Sequence, residues 1–227
     1  MKQGRLLPRR TTLTGGVDEA GRGCLVGDLF VAGVSATAGG VRALKELGVK
    51  DSKKLSAAQR ESLYPEILKV ASRVHWTSIS PREIDAVVTH GKKLHKLNYL
   101  EAVYFAKVID HLGARKVIVD ASDVLPHRFR DDILGSLKTK CEITSRHKAD
   151  RDFPVVSAAS IVAKVQRDRS VERLRREHGD FGSGYPSDPR TKAFFEAMVK
   201  RGDPLPDYVR KSWKTWANIE QRLLTSY

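Results

Sequence analysis

The chain has 227 residues, of which 41% are hydrophobic and 30% charged, so it can bury a core without disulfides or structural metals. Its 41 Lys and Arg against 27 Asp and Glu give a formal net charge of +14, which favours nucleic acid as a partner, although a solubilising surface would explain the same excess. Two distant cysteines, Cys24 and Cys141, exclude a disulfide framework and a CxxC zinc site. The chain shows neither a signal peptide nor an apolar run of about 18 residues, so we expect a soluble protein of the cytoplasm, or of the nucleus in a eukaryote, with no membrane partner.

The first part of the chain predicts a hairpin. GGVDEAG, at 15–21, leads through Gly21 and Gly23 into an apolar, β-branched run at 28–37. A short helix at 41–47, a basic loop at 49–56 and a helix starting at Ser56, with Gln59 in its first turn, come next. Residues 73–80 alternate as a third strand, and the Ser-Pro pair at 80–81 is typical of a helix start.

The second part predicts a helix over 97–113 that ends at Gly113. KVIVDAS, at 116–122, predicts a strand buried on both faces, with Asp120 at its carboxyl end. A helix, a strand at 141–147 and a long helix over 157–179 follow, and small residues at the start of the long helix predict close packing there. Proline and glycine cluster at 182–206 before a last helix at 214–227. We therefore predict a mixed α/β core over 1–180, with helices packed on its sheet, and a C-terminal subdomain over 181–227.

Asp18 and Glu19 stand directly before glycines that open the backbone. The spacing GxGxxxG, with no GK[ST] after it, argues against a dinucleotide or P-loop site. Two carboxylates would repel phosphate unless a cation stood between them, and hard oxygen ligands suit Mg²⁺ or Mn²⁺. Two such ions about 3.5–4 Å apart can activate a water and stabilise the leaving oxygen in phosphodiester hydrolysis.

Two ions need further ligands, and Asp120 and Asp150 are the candidates. A turn or cap role would explain Asp120 alone, and a helix-entry role would explain Asp150. Neighbouring residues of a regular strand also point to opposite faces. We therefore expect Asp18 and Glu19 to share a site only if the backbone turns there.

Five ordered motifs resemble the type 2 ribonuclease H family over about residues 15–216: GVDEAGRG, DSKKLS, VIVDAS, KADxxFPVVSAASIVAKVQRD and GSGYPSDPRT. The tail DYVRKSWKT is most similar to the archaeal and eukaryotic branch. The resemblance implies an α/β ribonuclease H-like fold, with a mixed five-stranded sheet flanked by helices and a C-terminal helical extension.

The resemblance also implies a divalent-metal-dependent endoribonuclease of ribonucleotide excision repair. Such an enzyme hydrolyses the RNA strand of RNA/DNA hybrids and cuts 5′ of single ribonucleotides embedded in duplex DNA, leaving 3′-hydroxyl and 5′-phosphate ends. The implied catalytic residues and ligands of two Mg²⁺ or Mn²⁺ ions are Asp18, Glu19, Asp120 and Asp150.

Substrate contacts are implied by the same motifs. Gly21, Arg22 and Gly23 match the segment whose backbone grips the ribose 2′-hydroxyl, and the Arg22 side chain would serve a phosphate. Tyr185 matches a tyrosine placed against the sugar at the ribonucleotide-deoxyribonucleotide junction, although a packed aromatic beside a turn is the alternative. The remaining predicted contacts fall in segments that line the nucleic-acid path: Lys53, Lys54, Ser157, Ser160 and Lys164. A solvated surface position is the alternative for each lysine. Five arginines of the long helix are equally well explained by a charged helix face: Arg167, Arg169, Arg173, Arg175 and Arg176.

Two residues near the site depart from the commoner family pattern. Cys24 stands where proline is usual after GRG, and Asp28 where a second proline is common, which puts substrate affinity in question more than the chemistry. A type 3 ribonuclease H, which fails at a single ribonucleotide, and a binding module without catalysis are the alternative functions. The GRG and SGYP motifs argue against a type 3 enzyme. The four acids at the family's metal-ligand positions argue against a binding module, which has no need of them. We expect a monomer.

Overall fold

The computed structural model describes residues 12–49 and 55–216. Lys53, Lys54 and most of the helix predicted over 214–227 lie outside these ranges. The strands are β1 Thr14–Ala20, β2 Leu29–Ala36, β3 Arg73–Ile79, β4 Lys116–Asp120 and β5 Glu142–Arg146. The helices are α1 Ala38–Glu46, α2 Ala57–Val70, α3 Pro81–His90, α4 Lys96–Leu112, α5 Pro126–Ser136, α6 Ala149–Asp152, α7 Pro154–His178 and α8 Pro189–Lys200.

The five described strands form one mixed sheet in the order β3-β2-β1-β4-β5. β1 pairs antiparallel with β2 and parallel with β4, while β3 and β5 complete the two sides. Apolar residues of α3, α4 and α5 cover one face of the sheet, and those of α1, α2 and α7 cover the other. This is the predicted α/β architecture, in which β1 and β4 lie side by side in the middle of the sheet.

Local sequence signals account for most element ends. Ser56 and Gln59 form the reciprocal hydrogen bonds of a capping box at the start of α2, and Gly113 ends α4 with a left-handed φ of 60°. The first helix begins three residues earlier than the predicted 41, because the Thr37 side chain accepts from the Gly40 amide and caps it there. The four-residue helix α6 has no counterpart among the predicted elements.

α7 packs closely on β1, as the small residues at its start predict. Gly16 of β1 has no room for a side chain, because a Cβ there would lie 2.4 Å from the backbone of Val155 and Val156. We expect Gly16→Ala to lower the free energy of unfolding by about 2–3 kcal/mol, which is roughly 4–12 °C in melting temperature for a chain of this size. Thermal denaturation measures this shift.

Gly135→Ala is the matched control for that substitution. Gly135 lies inside α5, and a Cβ there would meet no atom within 4 Å. Because alanine favours a helix over glycine by up to about 1 kcal/mol, this variant should melt at the same temperature or higher. Equal melting of Gly16→Ala and the wild type would contradict the close packing of α7 on β1.

The C-terminal segment shares a hydrophobic cluster with the catalytic part of the chain. Leu25, Val26 and Val171 pack in one group with residues that follow the predicted boundary near 180: Phe181, Phe195, Val209 and Trp216. The division at residue 180 stays a prediction. Among the described helices, none combines the length and the hydrophobicity needed to span a bilayer.

Candidate active site

Three carboxylates from separate elements meet at one edge of the sheet. Oxygen atoms of Asp18 in β1, Asp120 at the end of β4 and Asp150 in α6 lie within 4.8 Å of one another. The parallel register pairs Val17 with Val119, so Asp18 and Asp120 follow the last pair of that ladder side by side. We call these three residues the carboxylate cluster.

α6 brings Asp150 to the strand ends. Lys148 has a left-handed φ of 59° at the start of this helix, which turns the chain sharply after β5. The Ala149 amide then donates to Asp120 Oδ1 at 3.2 Å, and the Ser157 hydroxyl donates to the Asp150 carbonyl oxygen. Asp150 is 1% exposed. Backbone geometry around a short helix therefore completes the cluster.

Asp18 is buried against α7. Burial raises the pKa of its carboxyl, and Asp150 adds to that rise, while Lys164 and a hydrogen bond from Ser160 oppose it. Lys164 Nζ donates to Ser160 Oγ at 2.7 Å, so the lysine is held beside the carboxylate. The cluster is thus a place where negative charge is crowded and incompletely balanced.

Glu19 lies on the other face of β1. The strand pairs regularly through Asp18, Glu19 and Ala20, and the positive φ of 88° occurs only at Gly21. No turn separates the two acids, and their side chains leave the strand in opposite directions. Both nevertheless line one pocket at the end of the strand, so the expectation that they would share a site only if the backbone turned there is wrong.

The Glu19 carboxyl remains electrostatically coupled to the site. Burial raises its pKa well above the usual value, and Asp18, Glu101 and Asp120 raise it further. Its Oε2 is buried and has no hydrogen-bond partner among the described residues. Oxygen donors crowded in this way fit a hard divalent cation, which would supply the missing positive charge.

Residues 21–24 form a tight turn after β1, which we call the gripping turn. The Cys24 amide donates to the Gly21 carbonyl at 3.2 Å. Arg22 Nε donates to Glu101 at 2.9 Å, and its Nη2 donates to Asn98 Oδ1 at 2.6 Å. Glu101 is fully buried in α4. The Arg22 guanidinium is thus tied to α4, and its predicted contact with a phosphate stays a prediction.

One pocket contains the gripping turn, the carboxylate cluster and Glu19. Two of the predicted substrate contacts, Lys164 and Tyr185, line the same pocket. Ser157 and Ser160 lie behind the carboxylates, 2% and 0% exposed, with hydroxyls bonded to protein atoms. This position makes them supports of the site, and direct contact with nucleic acid stays a prediction for them.

Sequence reasoning missed two charged residues of this pocket, Arg60 and Asp168. Arg167, for which the sequence left a charged helix face as an equal explanation, lines the pocket as well. Arg60 Nη2 donates to Asp168 Oδ2 at 2.8 Å, across 108 positions of the chain. Asp168 lies four positions after Lys164, and Arg167 lies three after it, so all three share one face of α7. This helical spacing could have been used to predict that Arg167 and Asp168 lie in the same pocket as Lys164, because residues three and four positions apart share a helix face.

The family model for Ribonuclease HII matches residues 15–216. The chain belongs to the ribonuclease HII family. A curated ribonuclease HII from Cenarchaeum symbiosum is 49% identical over 205 residues, covering 90% of this chain and 97% of that protein.

Two solved structures of archaeal proteins are also similar. The ribonuclease H2 of Pyrococcus horikoshii OT3 superposes with a TM-score of 0.84 at 39% identity, covering 94% of this chain and 99% of that one. An RNase HII from Archaeoglobus fulgidus, solved as a complex with PCNA, gives 0.83 at 39% identity, covering 94% and 100%.

Membership of the ribonuclease HII family confirms the predicted enzyme class. The chain is an endoribonuclease of the second ribonuclease H type that acts on RNA/DNA hybrids, and the family is metal-dependent. The type 3 enzyme and the non-catalytic binding module are therefore excluded as alternatives. The ribonuclease H-like fold is confirmed as well.

Proposed function

We propose that this ribonuclease HII cuts on the 5′ side of a single ribonucleotide embedded in duplex DNA, as well as within RNA/DNA hybrids, and leaves 3′-hydroxyl and 5′-phosphate ends. The observation that carries the proposal is that one pocket holds the carboxylate cluster, the gripping turn and Tyr185. Hydrolysis and ribose recognition would thereby act on the same nucleotide. The predicted monomeric state and cytoplasmic location stay predictions.

Asp18, Glu19, Asp120 and Asp150 would hold two Mg²⁺ or Mn²⁺ ions. When bound, such ions supply activation of the attacking water and charge stabilisation at the leaving oxygen. The protein's own contribution is to hold the four carboxylates in place before substrate arrives. Lys164 and Ser160 support Asp18, and Ala149 supports Asp120.

Recognition of the ribose belongs to the backbone of the gripping turn. Gly23 has an ordinary backbone conformation, and a Cβ at this residue would meet no protein atom within 4 Å. The space beside Gly23 is therefore open, in a pocket that also contains the cluster. A 2′-hydroxyl can approach backbone groups there without meeting a side chain.

A substrate panel tests the catalytic part of this proposal. Labelled RNA/DNA hybrid, all-DNA duplex and all-RNA duplex are incubated with Mg²⁺, with Mn²⁺ or with a chelator. We expect cleavage of the hybrid alone, in its RNA strand, and only with a divalent ion. Hybrid cleavage that persists in the chelator would contradict the role assigned to the four acids.

Gly23→Ala tests ribose recognition without disturbing the fold. The new methyl group occupies open space, so the melting temperature should change by less than the shift expected for Gly16→Ala. Because the methyl group stands where the ribose approaches, we expect kcat/KM on a duplex with one ribonucleotide to fall about tenfold or more, roughly 1.4 kcal/mol of transition-state stabilisation. Unchanged kcat/KM in this variant would remove the gripping role from residue 23.

A further inference from the structure

Arg167 occupies a position that its sequence context does not suggest. It belongs to the strongly basic second half of α7, where a solvated side chain is the ordinary expectation. The structure buries it instead, with 8% of the residue exposed. A buried guanidinium must be matched by acceptors or by an aromatic face. Arg167 Nη1 donates to the neighbouring Asp168 at 3.2 Å, and its other described partners come from the two segments predicted to contact the substrate.

The first segment is the gripping turn. Arg167 Nη2 donates to Cys24 Sγ at 3.2 Å. The Arg167 stem also lies against this turn, since a Cβ at Gly21 would come within 3.3 Å of its Cγ. Cys24 is itself fully buried, and its amide closes the turn onto Gly21. The guanidinium and its stem therefore contact both ends of the gripping turn.

The second segment is Ser183–Gly184–Tyr185. The same Nη2 donates to the Ser183 carbonyl oxygen, and the guanidinium carbon lies 4.7 Å from the centre of the Tyr185 ring, within the range of a cation–π contact. The residue that follows the gripping turn also bonds to the second segment, because the Leu25 amide donates to the Gly184 carbonyl at 2.8 Å. One side chain thus touches both segments where they join.

Tyr185 of the second segment is also a neighbour of Cys24 in the gripping turn. Burial raises the pKa of Tyr185 to about 12, and the neighbouring Cys24 thiol acts in the same direction. The hydroxyl is therefore neutral at physiological pH. Tyr185 has the Arg167 guanidinium over its ring and the Cys24 thiol as a neighbour, so its position relative to the gripping turn is set by these two residues.

We propose that Arg167 is a positioning residue that fixes Tyr185 relative to the gripping turn, and that cutting at a lone ribonucleotide depends on it more than cutting of a continuous RNA/DNA hybrid does. The inference rests on the proposed function. At a lone ribonucleotide, the contact with the 2′-hydroxyl and the contact with the next sugar must both be made in a single register. A continuous hybrid presents a ribose in every register, so a less firmly positioned Tyr185 should reduce the cleavage of a hybrid less.

Arg167→Lys is the variant that tests this role. Lysine keeps the positive charge, but its compact ammonium cannot reproduce the planar guanidinium that donates to Cys24 and Ser183 and also contacts the Tyr185 ring. We expect kcat/KM on the lone-ribonucleotide duplex to fall about tenfold or more, since small misplacements of substrate contacts have effects of this size or larger. Hybrid cleavage should fall less than about threefold.

Control variants at Arg176 and Cys24 show whether the effect is specific to the contacts of Arg167. Arg176→Lys, in the same helix, changes a guanidinium that is 78% exposed and paired with Glu172, and should leave both activities unchanged. Cys24→Ala removes only the sulfur contact and should lower the same ratio of activities by a smaller factor, about threefold. Cys24→Ser keeps an acceptor and should restore the ratio. An unchanged ratio of the two kcat/KM values in a folded Arg167→Lys protein would overturn the proposal.

Thiol labelling provides a readout that is independent of cleavage. Cys24 is buried and Cys141 is partly exposed, so peptide mapping after treatment with a thiol reagent compares the two cysteines within one sample. Labelling of Cys24 relative to Cys141 should rise several-fold in Arg167→Lys and not in Arg176→Lys. If the wild-type enzyme cuts hybrids but not a duplex with a lone ribonucleotide, the proposed function is wrong, and the positioning role of Arg167 is then decided by the labelling alone. Unchanged Cys24 labelling would then overturn the positioning role, and faster labelling would support it.

Discussion

Asp18→Asn should abolish cleavage of every substrate while leaving the fold intact. Asparagine has the same shape and keeps an oxygen for the Glu19 amide, which donates to Asp18 Oδ1 at 2.8 Å, but it removes a negative charge from the carboxylate cluster. Each divalent ion contributes several kcal/mol to transition-state stabilisation, so we expect kcat/KM to fall by about 10³-fold or more. Initial rates on a labelled hybrid with Mg²⁺ measure this loss.

The melting temperature of Asp18→Asn shows whether the loss of cleavage comes from the missing charge or from unfolding. Burial and the nearby Asp150 raise the pKa of Asp18, which shows that the ionised form is disfavoured in the folded protein. Removing its charge should therefore leave the melting temperature in a chelator unchanged or slightly higher, as is common where a functional group is destabilising. Asp152→Asn is the matched control, because Asp152 is exposed and, among the residues that the structure describes, is paired only with Arg146. Turnover above a tenth of wild type in Asp18→Asn would remove Asp18 from the metal site.

Arg210→Met should be among the most destabilising substitutions in the described part of the chain. Arg210 is fully buried. Its guanidinium donates to the Arg22 carbonyl at 2.8 Å and twice to the Gly27 carbonyl, at 3.0 and 2.9 Å. Methionine has a similar length but leaves these carbonyls unsatisfied, which we expect to cost about 3–5 kcal/mol.

Thermal denaturation should show a fall of roughly 6–20 °C for Arg210→Met. Lys211→Met is the control, since Lys211 Nζ is partly exposed and reaches only Asp207, at 3.3 Å. Arg210 also holds the gripping turn at Arg22, so cutting at a lone ribonucleotide should weaken at temperatures where the variant is still folded. A melting temperature within about 1 °C of wild type would show that these three hydrogen bonds contribute nothing net.

The regular elements follow from local patterns in the sequence. The helix caps at Ser56 and Gly113 and the buried strand that ends at Asp120 depend on residues close together in the chain. Hydrophobic periodicity and turn chemistry report on such neighbours. α6 escapes these signals because it is only four residues long and begins at a left-handed lysine, which no common pattern predicts.

The candidate site follows from the sequence only in part. Asp18 and Asp120 each adjoin a predicted strand end, so their meeting can be expected from a sheet in which β1 and β4 are neighbours. The pairs that organise the pocket join residues far apart in the chain: Arg22 with Glu101, Arg60 with Asp168, Arg167 with Cys24 and Arg210 with Gly27. Such pairs leave no periodic pattern in the sequence, and each arginine by itself is indistinguishable from an ordinary surface charge.

The most direct test of the account is to map the cut in a DNA duplex that carries one ribonucleotide. The strand is labelled at its 5′ end and incubated with the wild-type protein and Mg²⁺. We expect a single labelled product that ends, with a 3′-hydroxyl, at the deoxyribonucleotide immediately before the ribonucleotide. A cut on the 3′ side of the ribonucleotide, or an intact duplex under conditions in which an RNA/DNA hybrid is degraded, would contradict it.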